Sequence, residues 1–72
     1  MIDTIKLLDV IALTEDLPER GLKRGEVGTV VDEWAEGVYE VEFSDDTGRA
    51  YSFAAVRDSQ MMKLYFRKHE AA

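Results

Sequence analysis

The chain has 72 residues, 46% hydrophobic and 33% charged, enough for one small folded domain and too few for a separate catalytic domain. Its lack of cysteine excludes disulfides and thiolate metal sites and suits a reducing, cytoplasmic setting. Fifteen acidic against nine basic residues give a net charge of −6, which disfavours nucleic acid as a partner and favours a basic protein surface.

The segment Met1 to Asp9 carries acids inside its apolar run and lacks a basic region and a small-residue cleavage site. No secretory signal is expected from it. The longest apolar run is far shorter than the roughly 20 residues that span a bilayer, so a soluble protein without membrane contact is expected.

In chain order, Leu7 to Leu13 is an apolar run of strand length bounded by polar residues. Thr14 to Gly21 collects turn and cap residues, with Pro18 and Gly21 punctuating a loop that holds one helical turn. Leu17 and Leu22 are expected to fold this loop back over the core. Gly25 precedes a β-branched run and supplies the freedom to take positive φ at a sharp turn. Gly28, inside that run, leaves room where another backbone approaches or the strand coils.

Strands are expected over Val27–Trp34 and Val38–Phe43, joined by Ala35-Glu36-Gly37 as a three-residue hairpin with a bulge. In the second of these, Tyr39, Val41 and Phe43 alternate with Glu40 and Glu42, giving one apolar and one acidic face. Ser44 to Gly48 is a turn by composition. Arg49 to Ala54 resumes the alternation, with Tyr51 and Phe53 on one face and expected in the core. Ala55 to Ser59 suits a single 3-10 turn, and Gln60 to Phe66 reads as a last strand.

Five short strands, a long first connection and a short 3-10 turn before the last strand point to an all-β fold. The expectation is a small five-stranded SH3-like barrel over residues 1–66 with a C-terminal tail at 67–72. The run Leu17, Pro18, Gly21, Leu22, Gly25, Val27, Gly28, Thr29, Val30 and Val31, followed by Tyr39, Val41, Glu42 and Phe43, resembles a family of small bacterial domains of unknown function. The resemblance extends from Leu7 to Leu64. It implies an SH3-like fold without an assigned activity, and an antitoxin- or immunity-like partner role, since some members lie beside toxin-like genes. A looser similarity joins Gly25, Val27, Gly28 and Val30 to the glycine-containing hairpin of KOW modules, which bind RNA through basic loops. Here Glu36, Asp45 and Asp46 stand in the corresponding turns.

Catalytic and cofactor chemistry find no pattern. His69 lies in the tail with no second histidine in the chain. Asp45 and Asp46 with Glu40 and Glu42 match no calcium-loop spacing and read as a solvated acidic face. Ser44, Ser52 and Ser59 have no base at recognisable spacing. Gly21 to Gly25 lacks the Gly-Lys-Ser/Thr ending of a phosphate loop and leads into a strand. No enzyme activity, cofactor or metal is expected.

The sequence reading therefore favours a protein-binding module. Its candidate partner-binding residues are Trp34, Glu40, Glu42, Asp45 and Asp46, set against a basic protein. Trp34 sits at a strand end beside acids, and tryptophan is a frequent interface anchor. Tyr65 and Phe66 extend the last strand, whose edge could pair two copies into a homodimer, or both rings could fold against Leu17 and Leu22 in a monomer. The alternatives are a KOW-like nucleic-acid binder using Lys23, Arg24 and the basic C-terminal segment, and a structural subunit of a larger assembly.

Overall fold

A computed structural model of the chain describes residues 4–65. Residues 1–3, Phe66, and the tail 67–72 with His69 lie outside the described residues. The fold is all-β, with strands β1 (Val10–Leu13), β2 (Val27–Ala35), β3 (Val38–Ser44), β4 (Ala50–Arg57) and β5 (Met61–Lys63). They form one antiparallel sheet in the order β4-β3-β2-β1-β5. The sheet is open, because β4 and β5 are its two edges, so the expected barrel is not closed. One 3-10 turn, Pro18–Arg20, lies in the first connection and another, Asp58–Gln60, precedes β5.

The first strand begins three residues later than the apolar run suggests. Leu8 has φ of 73°, a left-handed conformation outside the extended range of a regular strand, and Leu7 and Leu8 are both exposed. The N–H of Lys6 donates to the Asp9 carboxylate and the N–H of Asp9 donates to the Lys6 carbonyl, closing a turn where strand was expected.

The first connection folds as its sequence suggests. Gly21 ends the 3-10 turn at φ of 68°, and Leu17 and Leu22 exchange backbone hydrogen bonds across it. Both leucine side chains are buried in the core. Gly25 takes φ of 94°, which turns the chain into β2. Gly28 is buried opposite Phe43, and a Cβ there would stand 2.6 Å from Val41 Cγ1 and 2.9 Å from the Glu42 carbonyl oxygen. The absent side chain is what lets β2 and β3 lie this close.

The β2–β3 hairpin turns on two residues, Glu36 and Gly37, rather than three, with Gly37 at φ of 79°. The irregularity expected in the turn lies within β2 instead. Its register against β3 shifts between Val30 and Asp32 and again between Glu33 and Ala35. Each shift inserts one β2 residue without a partner, Val31 and then Trp34, and such bulges bend the strand and re-aim its side chains.

The core gathers Ile11 and Leu13 of β1, Val30 of β2, Tyr39, Val41 and Phe43 of β3, Ala54 and Val56 of β4, and Met61 of β5. Full burial of each large aliphatic or aromatic side chain contributes about 1.5–3 kcal/mol, and Phe43 is the largest with no exposure.

In β4 the expected face is reversed. Tyr51 and Phe53 are half exposed, at 52% and 50%, while Ala54 and Val56 are buried. The pairing dictates this: Phe43 lies opposite Ser52, Val41 opposite Ala54 and Tyr39 opposite Val56. Directly paired residues share a face, so the bulky core side of β3 meets the small side of β4. Residues 55–57, expected in the 3-10 turn, belong to β4. The turn itself is Asp58–Gln60, and the last strand is limited to Met61–Lys63, inside the expected 60–66.

Candidate functional site

The core uses one side of β2, β3 and β4, and the other side faces out. Register places Thr29, Glu42 and Phe53 in one outward row and Asp32, Glu40 and Ala55 in the next. Val27, Val31, Trp34, Tyr51 and Phe53 are all exposed there. An outer face is normally polar on an antiparallel sheet, so this apolar and aromatic cluster between carboxylates is the unusual surface of the molecule.

Trp34 is 65% exposed, and its indole Nε1 donates to Glu40 Oε1 at 2.8 Å. The second bulge of β2 makes this contact possible by giving Trp34 no direct partner on β3. The ring is thereby held against the outer face with one side open to solvent. Glu42 stands one outward row from Glu40, between Thr29 and Phe53. At the far end the Tyr51 hydroxyl donates to Glu26 Oε1 at 2.7 Å. This bond, followed by burial and the charges of Glu26 and Asp45, holds the Tyr51 phenol above its ordinary pKa.

Trp34, Glu40 and Glu42 thus fall on one surface. Asp45 has a separate task. Its Oδ1 accepts the Thr47 hydroxyl at 2.6 Å, the Thr47 N–H at 2.9 Å and the Arg49 N–H at 3.0 Å. These bonds build the β3–β4 turn and, led by the Thr47 hydroxyl, hold the Asp45 carboxyl below its usual value. Asp46 is exposed beside it in the same turn.

Sequence reasoning missed Tyr51, Phe53, Val31 and Val27 as surface residues. In β4 the reason is cross-strand volume: opposite Tyr39, Val41 and Phe43 the core takes Ala54 and Val56, and Tyr51 and Phe53 are left outside.

Away from this face, an open cleft of about 550 Å³ is lined by Ile5, Tyr39, Asp58, Ser59, Met61 and Lys63 among others. Burial, reinforced by the charges of Glu33, Asp58 and Glu36, raises the Tyr39 phenol above its ordinary value. Lys63 pairs with Asp9 at 3.4 Å, and its Nζ lies 5.3 Å from the centroid of Tyr65, whose ring is largely exposed. Among the described residues, no group of three or more histidines or acids is gathered to hold a metal ion, and no helix is long and apolar enough to cross a membrane.

The basic pair Lys23 and Arg24 sits in a turn built by acids. The Lys23 N–H donates to Glu26 Oε2 at 2.7 Å and the Arg24 N–H to Asp16 Oδ1 at 2.8 Å.

No curated protein and no solved structure matches the chain. A family model does, over residues 7–63, from the turn before β1 to the end of β5. The chain belongs to the family described as a domain of unknown function, DUF4926.

Proposed function

We propose that the chain is a protein-binding module without catalytic activity, and that the outer face of β2, β3 and β4 meets a basic protein surface. The observation that carries this reading is the exposed Trp34 bonded to Glu40, on the same face as Phe53, Tyr51 and Glu42. Burying an aromatic anchor within a ring of carboxylates suits a partner that presents an apolar pocket rimmed by lysine or arginine. The net charge of −6 adds long-range attraction to such a partner. An antitoxin- or immunity-like pairing in the cytoplasm fits this chemistry, because neutralising a basic effector needs affinity and fast association rather than catalysis.

Nucleic-acid binding is less well supported. Lys23 and Arg24 are flanked by Glu26 and Asp16, whose charges oppose a phosphate backbone.

The test starts from the protein that co-purifies with the untagged chain. Its affinity and association rate are measured against the wild type, Trp34→Ala, and the double variant Glu40→Gln with Glu42→Gln, at low and high salt. Trp34→Ala is expected to weaken binding at least about tenfold, since anchor truncation commonly costs 2 kcal/mol or more. The double amide variant is expected to associate more slowly and with less salt dependence. Equal affinity for all three proteins would overturn the assignment of this face.

A further inference from the structure

We propose that β4 is a self-pairing edge through which two copies of the chain join into one continuous antiparallel sheet. The inference is independent of the partner assigned to the outer face. Strand β4 has eight residues, Ala50–Arg57, and pairs on one side only. The other edge strand, β5, has three residues, which makes it a poorer template.

The direction of the free groups follows from the backbone. The Asp58 N–H donates to the Gly37 carbonyl, across from β3. Antiparallel alternation then turns Val56, Ala54 and Ser52 toward β3 and leaves the N–H and C=O groups of Phe53 and Ala55 on the open edge; it stops at Tyr51, a bulge residue left without a β3 partner where the register shifts between Phe43 and Ser44. Natural edges are protected by lysine, proline, bulges or a covering segment. Residues 52–56, beyond the bulge at Tyr51, contain no proline and no charged side chain, and among the described residues no strand pairs with this edge. The open edge ends at Arg57, whose N–H is taken by Gln60 Oε1 at 2.9 Å.

The register follows from the faces and from where the edge is regular. Core-facing residues must meet core-facing residues if the sheet is to continue, and groups aimed at the open edge must pair with each other. Centring the two-fold axis on Phe53 satisfies both conditions at the centre but runs the bulge at Tyr51 against the partner subunit's Ala55. Centring it on Ala54 satisfies them as well, pairs Phe53 with the partner subunit's Ala55 and Ser52 with the partner subunit's Val56, and so uses the whole regular stretch between the bulge and Arg57. The Ala54-centred dimer is the one that pairs the full regular stretch of the edge.

Sedimentation velocity across the micromolar range tests the pairing in the wild type and in Ala55→Pro. The wild type is expected to show a concentration-dependent dimer. Proline at 55 removes an N–H aimed at the open edge while leaving the β3 ladder intact, so the dimer is expected to weaken about tenfold or more, with unchanged circular dichroism. The register is read separately by disulfide formation, which is specific because the chain has no native cysteine. Directly opposed positions of a non-hydrogen-bonded pair lie about 4.5 Å apart at Cα, within disulfide range. Ala54→Cys is expected to cross-link under mild oxidation, and Phe53→Cys is not. A wild type that stays monomeric throughout, a dimer indifferent to a folded Ala55→Pro, or cross-linking at 53 and not at 54 would each overturn the proposal. Should Ala55→Pro not fold, the cysteine pair alone decides it.

Discussion

The hydroxyl of Tyr51 donates to Glu26 across 2.7 Å and 25 positions of sequence, tying edge strand β4 to the turn that opens β2. The contact spans β3 on the outer side of the sheet. It exists because β4 presents Tyr51 outward, the reverse of its expected place in the core.

Removing the acceptor charge tests this bond. Glu26→Gln is expected to lower the Tyr51 pKa toward its ordinary value, read as tyrosinate absorbance in an alkaline titration. The linked stability has a definite sign. A phenol whose folded pKa is raised contributes stability that is present below about pH 10 and is lost as pH rises through the folded value. Wild type is therefore expected to lose stability in that alkaline range, and Glu26→Gln to lose less of it.

Leu8 holds a left-handed backbone with its side chain 75% exposed. Left-handed geometry costs a non-glycine residue about 1–2 kcal/mol, and glycine avoids it at a smaller entropic cost. Leu8→Gly is expected to stabilise the fold by about 0.5–1 kcal/mol, seen as a higher denaturant midpoint.

Gly28 leaves no such freedom. A methyl group there meets the Glu42 carbonyl oxygen at 2.9 Å, a backbone atom that can move only by parting the strands. Gly28→Ala is expected to destabilise by about 1–3 kcal/mol, the range for overpacking in a tight core, with a lower denaturant midpoint.

Two phenylalanines one strand apart separate the inner from the outer face. Phe43 is fully buried and Phe53 is half exposed. Phe43→Ala is expected to cost about 3–5 kcal/mol, comparable to the whole stability of a domain this size. Loss of cooperative thermal unfolding would report it. Phe53→Ala should unfold cooperatively near the wild-type midpoint, which would confirm the inward face of β4.

Asp45 gives the acid side of the profile. Its carboxyl is held below its ordinary value by the bonds that close the β3–β4 turn. A lowered folded pKa contributes stability that is present above about pH 4 and is lost as pH falls through the folded value. Asp45→Asn is expected to unfold more easily at neutral pH and to show a shallower loss on acidification, measured as denaturant midpoint against pH.

Strand alternation over Tyr39 to Phe43 was legible because the sequence there is unambiguous, large apolar residues alternating with glutamates. The glycine turns at Gly21 and Gly25 were legible for a related reason, since few other residues accept the geometry. β4 was not, because both of its faces contain apolar residues and the period alone cannot say which is inside. The candidate site divided the same way. Trp34, Glu40 and Glu42 were singled out from the sequence and share one surface, whereas Asp45 serves its own turn and Phe53 and Tyr51 joined the surface through register.

Alone, the sequence determined an all-β chain of five short strands with a 3-10 turn before the last, because periodicity and turn chemistry act locally. Tertiary structure decided which side of β4 is buried, where β2 bulges, and that the sheet stays open with β4 at its edge. Those outcomes depend on which side chains lie opposite one another across strands, and cross-strand volume and register are not properties of any one segment.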